Sequence, residues 1–480
     1  MVATTGTGQS LSHRRAQLAG PSGVKGLISN VRVLAIAVFA SLGGFVYGYN
    51  QGMFGQILSM SSFSATVHPE SITNTTTRGL LTAILELGAW VGVLVNGLLA
   101  DALGRQQATL SGVVVFIVGV IVQACAKNAD YILGGRFVTG LGVGILSMIV
   151  PLPRWLMTKG REDECLEVIA NLRNLPTDND LVQLEYLEVK AQHRFEQETS
   201  LARFPQYHAP GLMNKVKLEY HQYLSLLTNR SLFKRTVVAV FIMVFQQWSG
   251  INAILYYASF IFADLGLTGN TTSLLAGGVG GILLFLATIP AVLYIDQFGR
   301  KPVLITGAIG MGICHFIVAG LDGKYNSSWP DHKAAGWVAV VFVWLYEVNF
   351  GYSWGPGAWV VVAEVFPLGV RAKAISIGAS SNWLNNFAIG QATPDMVAKM
   401  GYGTFIFFGA MCFIGAVFVY FVVPETKNLT LEEMDEVFGD EAGTAIEDRN
   451  RLIEIYTDLG LLESSSGEEK VVAGKEQNES

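Results

Sequence analysis

The chain has 480 residues, of which 51% are hydrophobic and only 15% charged, with a mean hydropathy of +0.41. Soluble domains carry about 25% charged residues, so this composition favours a membrane protein. The net charge of −6, with no basic patch, excludes a nucleic-acid-binding protein of the usual kind. The four cysteines lie far apart and the seven histidines are scattered, so we expect no disulfide framework, no metal site and no cofactor.

Apolar runs long enough to cross a bilayer as helices recur along the chain. They begin after a polar tail, residues 1–32, which has no signal-peptide pattern and is expected in the cytoplasm. We count ten runs, at 33–52, 79–100, 108–126, 131–151, 236–263, 273–295, 303–321, 336–362, 374–394 and 403–423. The sequence therefore predicts an all-α polytopic protein embedded in a lipid bilayer.

The runs fall into two groups that a charged segment separates. We divide the chain into a cytoplasmic tail, a four-helix block, a cytoplasmic helical linker, a six-helix block and a second cytoplasmic tail, at 1–32, 33–151, 152–235, 236–423 and 424–480. Within the linker, Glu162–Leu172 and Leu181–Glu198 have the pattern of solvated amphipathic helices. In the acidic last segment we expect a short helix at Leu431–Phe438 and about 20 disordered residues at the end.

Three N-glycosylation sequons indicate the orientation of the chain in the membrane. They are Asn74, Asn270 and Asn326, in the loops after the first, fifth and seventh runs. All three lie outside if the N-terminus is cytoplasmic, and most basic loop residues then lie inside, as the positive-inside tendency expects. We therefore expect both termini in the cytoplasm.

An acid, a glycine and a basic residue recur at one spacing after the second and the sixth runs. The first copy is Asp101, Gly104 and Arg105, and the second is Asp296, Gly299 and Arg300. Such a turn holds two helix ends together by charge pairing and helix-dipole contacts. Two copies, each after the second helix of a block, indicate a duplicated unit. The second block has six runs and the first only four, so the first lacks its last two helices.

The stretch Val244–Ala263 combines uncharged polar side chains with aromatic rings. These residues are Gln246, Gln247, Ser249, Asn252, Tyr256 and Tyr257. Amides in hydrocarbon are costly unless satisfied, so this face should meet protein or a watery cavity. Neutral donors and acceptors beside aromatic rings suit a neutral polyol such as a sugar. The alternative is that they hold neighbouring helices together.

Further motifs occur in a fixed order along the chain. They are Gly43-Gly44, Gly48-Tyr49 and Gly52 in the first run, Gly135-Arg136, Ala363-Glu364-x-Phe366-Pro367 with Arg371, Asn382-Trp383 and Pro424-Glu425-Thr426-Lys427. With the two acid-glycine-arginine motifs and Gln246-Gln247-x-Ser249-Gly250-x-Asn252, they resemble the sugar porter family of the major facilitator superfamily, in its fungal branch of hexose transporters. The resemblance covers roughly residues 33–440. It implies the major facilitator fold and transport of a monosaccharide, a hexose such as glucose, by alternating access, at the plasma membrane.

The resemblance also assigns roles by position. It implies that the substrate is bound by Gln246, Gln247, Asn252, Tyr256, Tyr257, Gly355, Trp359, Asn382 and Trp383. It implies that a cytoplasmic charge network is formed by Asp101, Gly104, Arg105, Arg136, Asp296, Gly299, Arg300, Glu364 and Arg371. For Trp359 and Trp383, anchoring at the lipid interface is the alternative. Independently, the glycines and the proline of Gly351–Gly357 predict a helix kink.

The chain departs from the family between the fourth run and the linker. Relatives have two further helices there, one with a sugar-binding glutamine, whereas here Val150–Leu152 runs directly into Pro153–Leu156. This agrees with the unequal blocks and predicts ten of the usual twelve helices, with poor transport or none. The alternatives are a truncated isoform, an incorrectly assembled gene, or a sugar sensor of the same fold. Sensors usually have a longer tail than the stretch after Pro424.

A second departure concerns energy coupling. Asn50 stands where proton-coupled relatives carry an aspartate, which favours uniport over proton symport because an amide does not titrate. Glu86 and Glu347, carboxylates inside apolar runs, oppose this and are the candidates for proton coupling. Leu284 replaces an asparagine of several relatives, so the preferred sugar stays open, as does the oligomeric state.

No pattern in the chain indicates an enzyme. The glycine spacing at Gly140–Gly144 is similar to a nucleotide-binding fingerprint, but it lies in an apolar run without a preceding strand. Small residues at that spacing instead let helices approach closely.

Overall fold

A computed structural model describes residues 31–58, 60–67, 73–103, 105–147, 152–207, 211–264, 270–326, 328–427 and 444–462, with 14, 17, 18, 434 and 437–439. Within these ranges the regular structure is helical, as the sequence predicts. The helices of the first block and the linker are α1 (Val31–Ile57), α2 (Ser61–Val67), α3 (Thr75–Leu103), α4 (Arg105–Ala124), α5 (Ala129–Ser147), α6 (Leu152–Thr158), α7 (Glu162–Arg173), α8 (Asp180–Arg203) and α9 (Leu212–Thr228). Those that follow are α10 (Arg230–Trp248), α11 (Ile251–Asp264), α12 (Asn270–Phe298), α13 (Arg300–Tyr325), α14 (Lys333–Tyr352), α15 (Trp354–Glu364), α16 (Arg371–Met400), α17 (Gly403–Val422) and α18 (Thr444–Asp458).

Each of the ten apolar runs falls on a helix or on a broken pair of helices. Among the described residues, seven stretches are long and apolar enough to cross a membrane. They are Thr75–Asn96, Gln107–Ala124, Arg230–Ala263, Gly277–Phe298, Arg300–Tyr325, Lys333–Glu364 and Gly403–Val422. The other three runs form α1, α5 and α16. Ten spans thus stay a prediction, whereas the helical character of all ten runs is confirmed.

Glycines let α3 and α5 pack with their backbones in contact. A Cβ added at Gly88 would lie 2.2 Å from the Phe137 carbonyl oxygen, and one at Gly140 would lie 2.0 Å from that of Leu85. Gly140 and Gly144 therefore let α5 pack closely against α3 and do not form a nucleotide-binding loop in this fold. On its other face α5 packs against α4.

The second block is built around one large apolar core, which extends from α9 to the segment after α17. Its helices pack in the pairs α13 with α17, α13 with α14, α12 with α14 and α10 with α16. The blocks meet mainly where α3 packs along α16 and α11 crosses α1.

The linker forms helices where its amphipathic pattern predicts them, at α7 and α8. Helix α18, which the sequence analysis did not predict, packs against α8. Its Ile455 joins Leu184 and Phe195 in a small core, and Arg203 pairs with Asp448. The helix expected at Leu431–Phe438 lies mostly outside the described residues.

Candidate functional site

A break between α10 and α11 lies at the centre of the second block. Gly250 has a φ of +96°, a conformation that side chains rarely adopt, and an added Cβ would meet the Phe408 ring at 2.9 Å. The break leaves the Ser249 carbonyl oxygen outside the helix ladder. His315 Nε2 lies 2.9 Å from it and Tyr346 Oη donates to it at 3.0 Å, so this buried acceptor is satisfied.

Four amide side chains meet beside this break. Gln246 Oε1 accepts hydrogen bonds from Asn382 Nδ2 at 2.7 Å and from Gln247 Nε2 at 3.4 Å, and Asn252 donates to Gln247 Oε1. Gln246, Gln247 and Asn382 are buried. We call Gln246, Gln247, Asn252 and Asn382 the amide cluster. The structure brings these four predicted residues together from three helices, and here their polar atoms bind one another.

The predicted kink in the eighth run is present and contacts the amide cluster. Helix α14 ends at Tyr352 and α15 begins at Trp354, with Ser353 non-helical between them. Gln246 Nε2 donates to the carbonyl oxygens of Trp354 at 2.9 Å and Gly355 at 3.3 Å. The backbone of Gly355 therefore lies beside the amide cluster, and its part in substrate binding stays a prediction.

The two predicted tryptophans differ in their surroundings. Trp383 is buried and meets the Tyr47 ring edge-on, with ring centres 5.6 Å apart. Trp359 is 39% exposed. The prediction that these tryptophans lie inside the protein, and not at the lipid interface, therefore fits Trp383 better than Trp359.

Tyr256 and Tyr257 connect α11 to both blocks. Tyr257 Oη donates to the Gly390 carbonyl oxygen at 2.8 Å. Tyr256 Oη lies 2.9 Å from Glu86 Oε1 and 3.0 Å from Asn386 Oδ1. A phenol has one hydrogen and cannot donate to both. A second hydrogen must come from a protonated Glu86 or from a rotated Asn386 amide.

Asn386 was not predicted. It lies one helical turn beyond Asn382 on α16, and that i, i+4 spacing is the signal that would have found it.

The second charge motif closes a network at the end of α12. Arg300 Nη2 donates to Asp296 Oδ1 at 2.6 Å and to Glu364 Oε1 at 2.7 Å. Gly299 has a φ of +88°. Glu425, which was not predicted, accepts the backbone N–H groups of Arg300 and Lys301 at 2.9 and 3.1 Å and so caps α13.

Among the other members of the predicted network, Arg371 lies near enough to Glu364 for their charges to interact. Arg371 donates to the Phe366 carbonyl oxygen at 3.1 Å. Gly104 and the side chains of Asp101 and Arg105 lie outside the described residues.

The assignment of Arg136 to this network is wrong in position. Arg136 donates to the Thr82 carbonyl oxygen, and Thr82 lies two turns after the start of α3. The start of α3 contacts Gln391, near the C-terminal end of the 30-residue helix α16. Glu364 and Arg371 lie at the N-terminal end of α16.

The remaining predicted residues have distinct settings. Glu347 is 2% exposed, its Oε2 atom has no hydrogen-bond partner among the described residues, and it lies against Gly280 of α12. Asn74 is exposed, and its Oδ1 caps α3 by accepting the N–H of Thr76 at 3.0 Å. Asn326 is exposed as well, and the side chain of Asn270 lies outside the described residues.

A polar contact between the blocks, also not predicted, lies at the start of α3. Asp395 of α16 accepts hydrogen bonds from the hydroxyls of Thr75 and Thr76, and Gln391 Nε2 donates to the Thr76 carbonyl oxygen at 2.9 Å. We call this set the α3–α16 clasp.

Apolar spans around buried amides and a closed charge network are features of integral membrane transporters. The chain belongs to the family of sugar (and other) transporters, whose family model matches residues 36–152 and 153–438. It is 29% identical to a major facilitator-type transporter, ecdD, of Aspergillus rugulosus, over 84% of this chain and 87% of that one. It is 27% identical to a probable glucose transporter, rco-3, of Neurospora crassa, over 87% and 81%. It is also 27% identical to a quinate permease of Emericella nidulans, over 86% and 89%.

The fold is that of the major facilitator superfamily. A solved proton:xylose symporter of that superfamily, bound to 6-bromo-6-deoxy-D-glucose, aligns with a TM-score of 0.64. The alignment covers 85% of this chain and 99% of the symporter, at 23% identity.

Proposed function

We propose that the chain binds a monosaccharide, a hexose such as glucose, within the membrane. The amide cluster carries this proposal. Neutral donors and acceptors from α10, α11 and α16 converge there, and hydroxyl groups of a sugar can replace the bonds that the amides make with one another. The relatives of the chain include a probable glucose transporter.

We propose a topology of four plus six spans, with both termini and the linker in the cytoplasm of a plasma-membrane protein. The exposed setting of Asn74 and Asn326 is compatible with their place outside the cell. The polar surfaces of α7 and α8, with ion pairs such as Arg173–Glu185, are those of solvated helices.

The absence of two helices from the first block is part of the proposal. The two matched segments of the family model adjoin at residue 152, where the sequence departs from the family. The alignment with the A. rugulosus transporter has 497 positions, but 84% of this chain is only about 400 residues, so roughly 90 positions face no residue of this chain. Two spanning helices with their loops need about 40–60 residues. Sequencing the transcript across Ser147–Trp155 tests whether the cell makes this form or a longer one.

We expect binding without efficient transport. Alternating access requires two halves that close around a central site, and a four-helix half lacks part of that wall. Any transport that remains should be uniport, because Asn50 supplies no titratable group, and Glu86 and Glu347 are the residues that could overturn this.

A sugar sensor is the second candidate function. The high glucose sensor RGT2 of Saccharomyces cerevisiae is 26% identical over 88% of this chain and 62% of the sensor. Sensing needs a bound sugar and a conformational response but no passage across the membrane, so it is compatible with an incomplete first block.

Equilibrium binding of radiolabelled D-glucose to the purified full chain in nanodiscs tests the proposal. We expect saturable binding that Gln247→Ala abolishes, because the variant removes two polar atoms from the amide cluster. The control is Gln183→Ala in the linker, whose side chain donates to the Thr177 carbonyl oxygen. If Gln247→Ala and the parent bound D-glucose equally, the amide cluster would not be the sugar-binding site.

A further inference from the structure

Arg136 is a buried cation held by neutral groups. Its side chain lies between α1, α3 and α5 and is 0% exposed. Nη2 donates to Gln51 Oε1 and to the Thr82 carbonyl oxygen, both at 2.8 Å. The guanidinium carbon lies 3.8 Å from the centre of the Phe54 ring. These contacts fix the plane of the guanidinium and use one of its three nitrogens.

The other nitrogens have no partner in the part of the chain that the structure describes. Nε and Nη1 of Arg136 are buried without a hydrogen bond, and so is Nε2 of the adjacent Gln51. Nε and Nη1 carry three of the five N–H groups of a guanidinium. Arg136 and Gln51 together therefore present several N–H donors without acceptors, beside one positive charge.

No described carboxylate balances this charge by direct contact. Glu86 is near enough for its charge to act on Arg136. However, no ion pair of 4.0 Å or less joins Arg136 to a carboxylate among the described residues, and the Glu86 carboxyl lies 2.9 and 3.3 Å from the Tyr256 and Tyr47 hydroxyls. A buried charge without a bonded partner is costly in a membrane, so it marks a functional site.

We propose that Arg136 and Gln51 bind the carboxylate of a polyhydroxylated acid, so that the chain takes such acids in preference to their neutral analogues. The inference rests on the proposed function and extends its substrate class. A guanidinium fork matches a carboxylate with two parallel N–H···O bonds, and Gln51 Nε2 supplies a further donor. The chain Glu86–Tyr256–Asn386 links this subsite to α16 and so to Asn382 of the amide cluster, which would hold the hydroxyls.

The probe is quinate, a ring polyol with one carboxylate, compared with its neutral methyl ester. We expect the purified full chain in nanodiscs to bind quinate at least about tenfold more tightly than the ester. Arg136→Gln should remove this difference. Arg136→Lys should keep part of it, because the charge stays while the fork is lost.

Gln51→Glu is the sharper variant. It places a carboxylate of the same shape against Arg136, so the protein itself would occupy the fork and quinate should bind at least about tenfold more weakly. It also decides the matter if Arg136→Gln does not fold. Arg161→Gln, which removes an exposed cation paired with Glu164, is the control and should leave the preference for quinate unchanged.

Three results would overturn the inference. Equal affinity for quinate and its ester removes the carboxylate subsite, as does unchanged quinate binding in Gln51→Glu. Binding of D-glucose without binding of quinate contradicts the subsite while the proposed function stands. If neither ligand binds, the proposed function fails as well.

Discussion

The glycines of α3 and α5 and those of α1 have the same spacing but opposite surroundings. At Gly88 and Gly140 an added Cβ would collide with the backbone of the facing helix. At Gly44, Gly48 and Gly52, four residues apart on α1, no described residue lies within 4 Å of such a Cβ. Since the spacing suits close helix packing in both places, α1 presents a face for a helix that the described chain does not supply.

The second block shows no such deficit at its charge motif or its core. Arg300, Asp296 and Glu364 close a network there, and one large core joins α10, α11 and α13 to α17, with Leu284 of α12 packed against it. We therefore propose that sugar recognition, built mainly on the second block, is separable from transport, which needs a matching first block.

Adding the two helices that we propose are absent should have the largest effect. We expect that inserting the corresponding segment of the N. crassa glucose transporter between Ser147 and Leu152 raises D-glucose counterflow in proteoliposomes at least about tenfold. The added helices would cover α1 and complete the cavity wall.

Gly48→Leu sharpens that experiment. In the 480-residue chain the new side chain enters open space and should leave D-glucose binding unchanged. In the extended chain it should obstruct helix packing and suppress counterflow. If Gly48→Leu had the same effect in both chains, the glycine face of α1 would not be a surface on which another helix packs.

Breaking the charge network should have a moderate effect. Arg300→Gln removes the bonds to Asp296 and Glu364 around a side chain that is only 9% exposed. We expect the free energy of unfolding of the second block to fall by about 2 kcal/mol, seen as a thermal midpoint lower by several degrees. Arg161→Gln, at an exposed pair, should leave the thermal midpoint nearly unchanged. Equal shifts of the thermal midpoint in Arg300→Gln and Arg161→Gln would contradict the stabilising role of the Arg300 network.

The α3–α16 clasp should give the smallest effect. The hydrogen bond from the Thr75 hydroxyl, with a smaller effect from that of Thr76, holds the pKa of Asp395 below its ordinary value of 3.8. Asp395 lies beyond the run 374–394. The clasp is therefore complete above that value and is lost as the pH falls through the lowered pKa.

Hydrogen exchange of the first amides of α3 measures this contact. We expect Asp395→Asn to raise exchange by a few-fold at pH 7, and the parent to show no change in protection between pH 7 and 5. Lys399→Gln is the control, since the Lys399 side chain is 76% exposed and its Nζ lies 4.0 Å from Asp395 Oδ1. Fraying of the parent at pH 5 would contradict the assignment.

Local chemistry made much of this structure predictable. Hydropathy placed the helices, and the glycines and proline after Gly351 predicted the break at Ser353. Residues 246–252 are close in sequence, so predicting their cluster needed only one long-range assumption, that the helix carrying Asn382 packs beside them.

The parts that were missed depend on contacts between distant segments. Asp395 binds Thr75 across 320 residues, and Glu425 caps a helix that begins 125 residues earlier. Arg136 was misplaced because a motif shows that an arginine is present but not which end of a helix bundle it faces.

Counterflow of D-glucose through the unmodified chain tests the central claim most directly. In one preparation of proteoliposomes, equilibrium binding and counterflow are measured with the N. crassa transporter as reference. The separation of recognition from transport predicts saturable binding with counterflow at the protein-free background. Counterflow at the rate of the reference would contradict it and show that a four-helix first block suffices for alternating access.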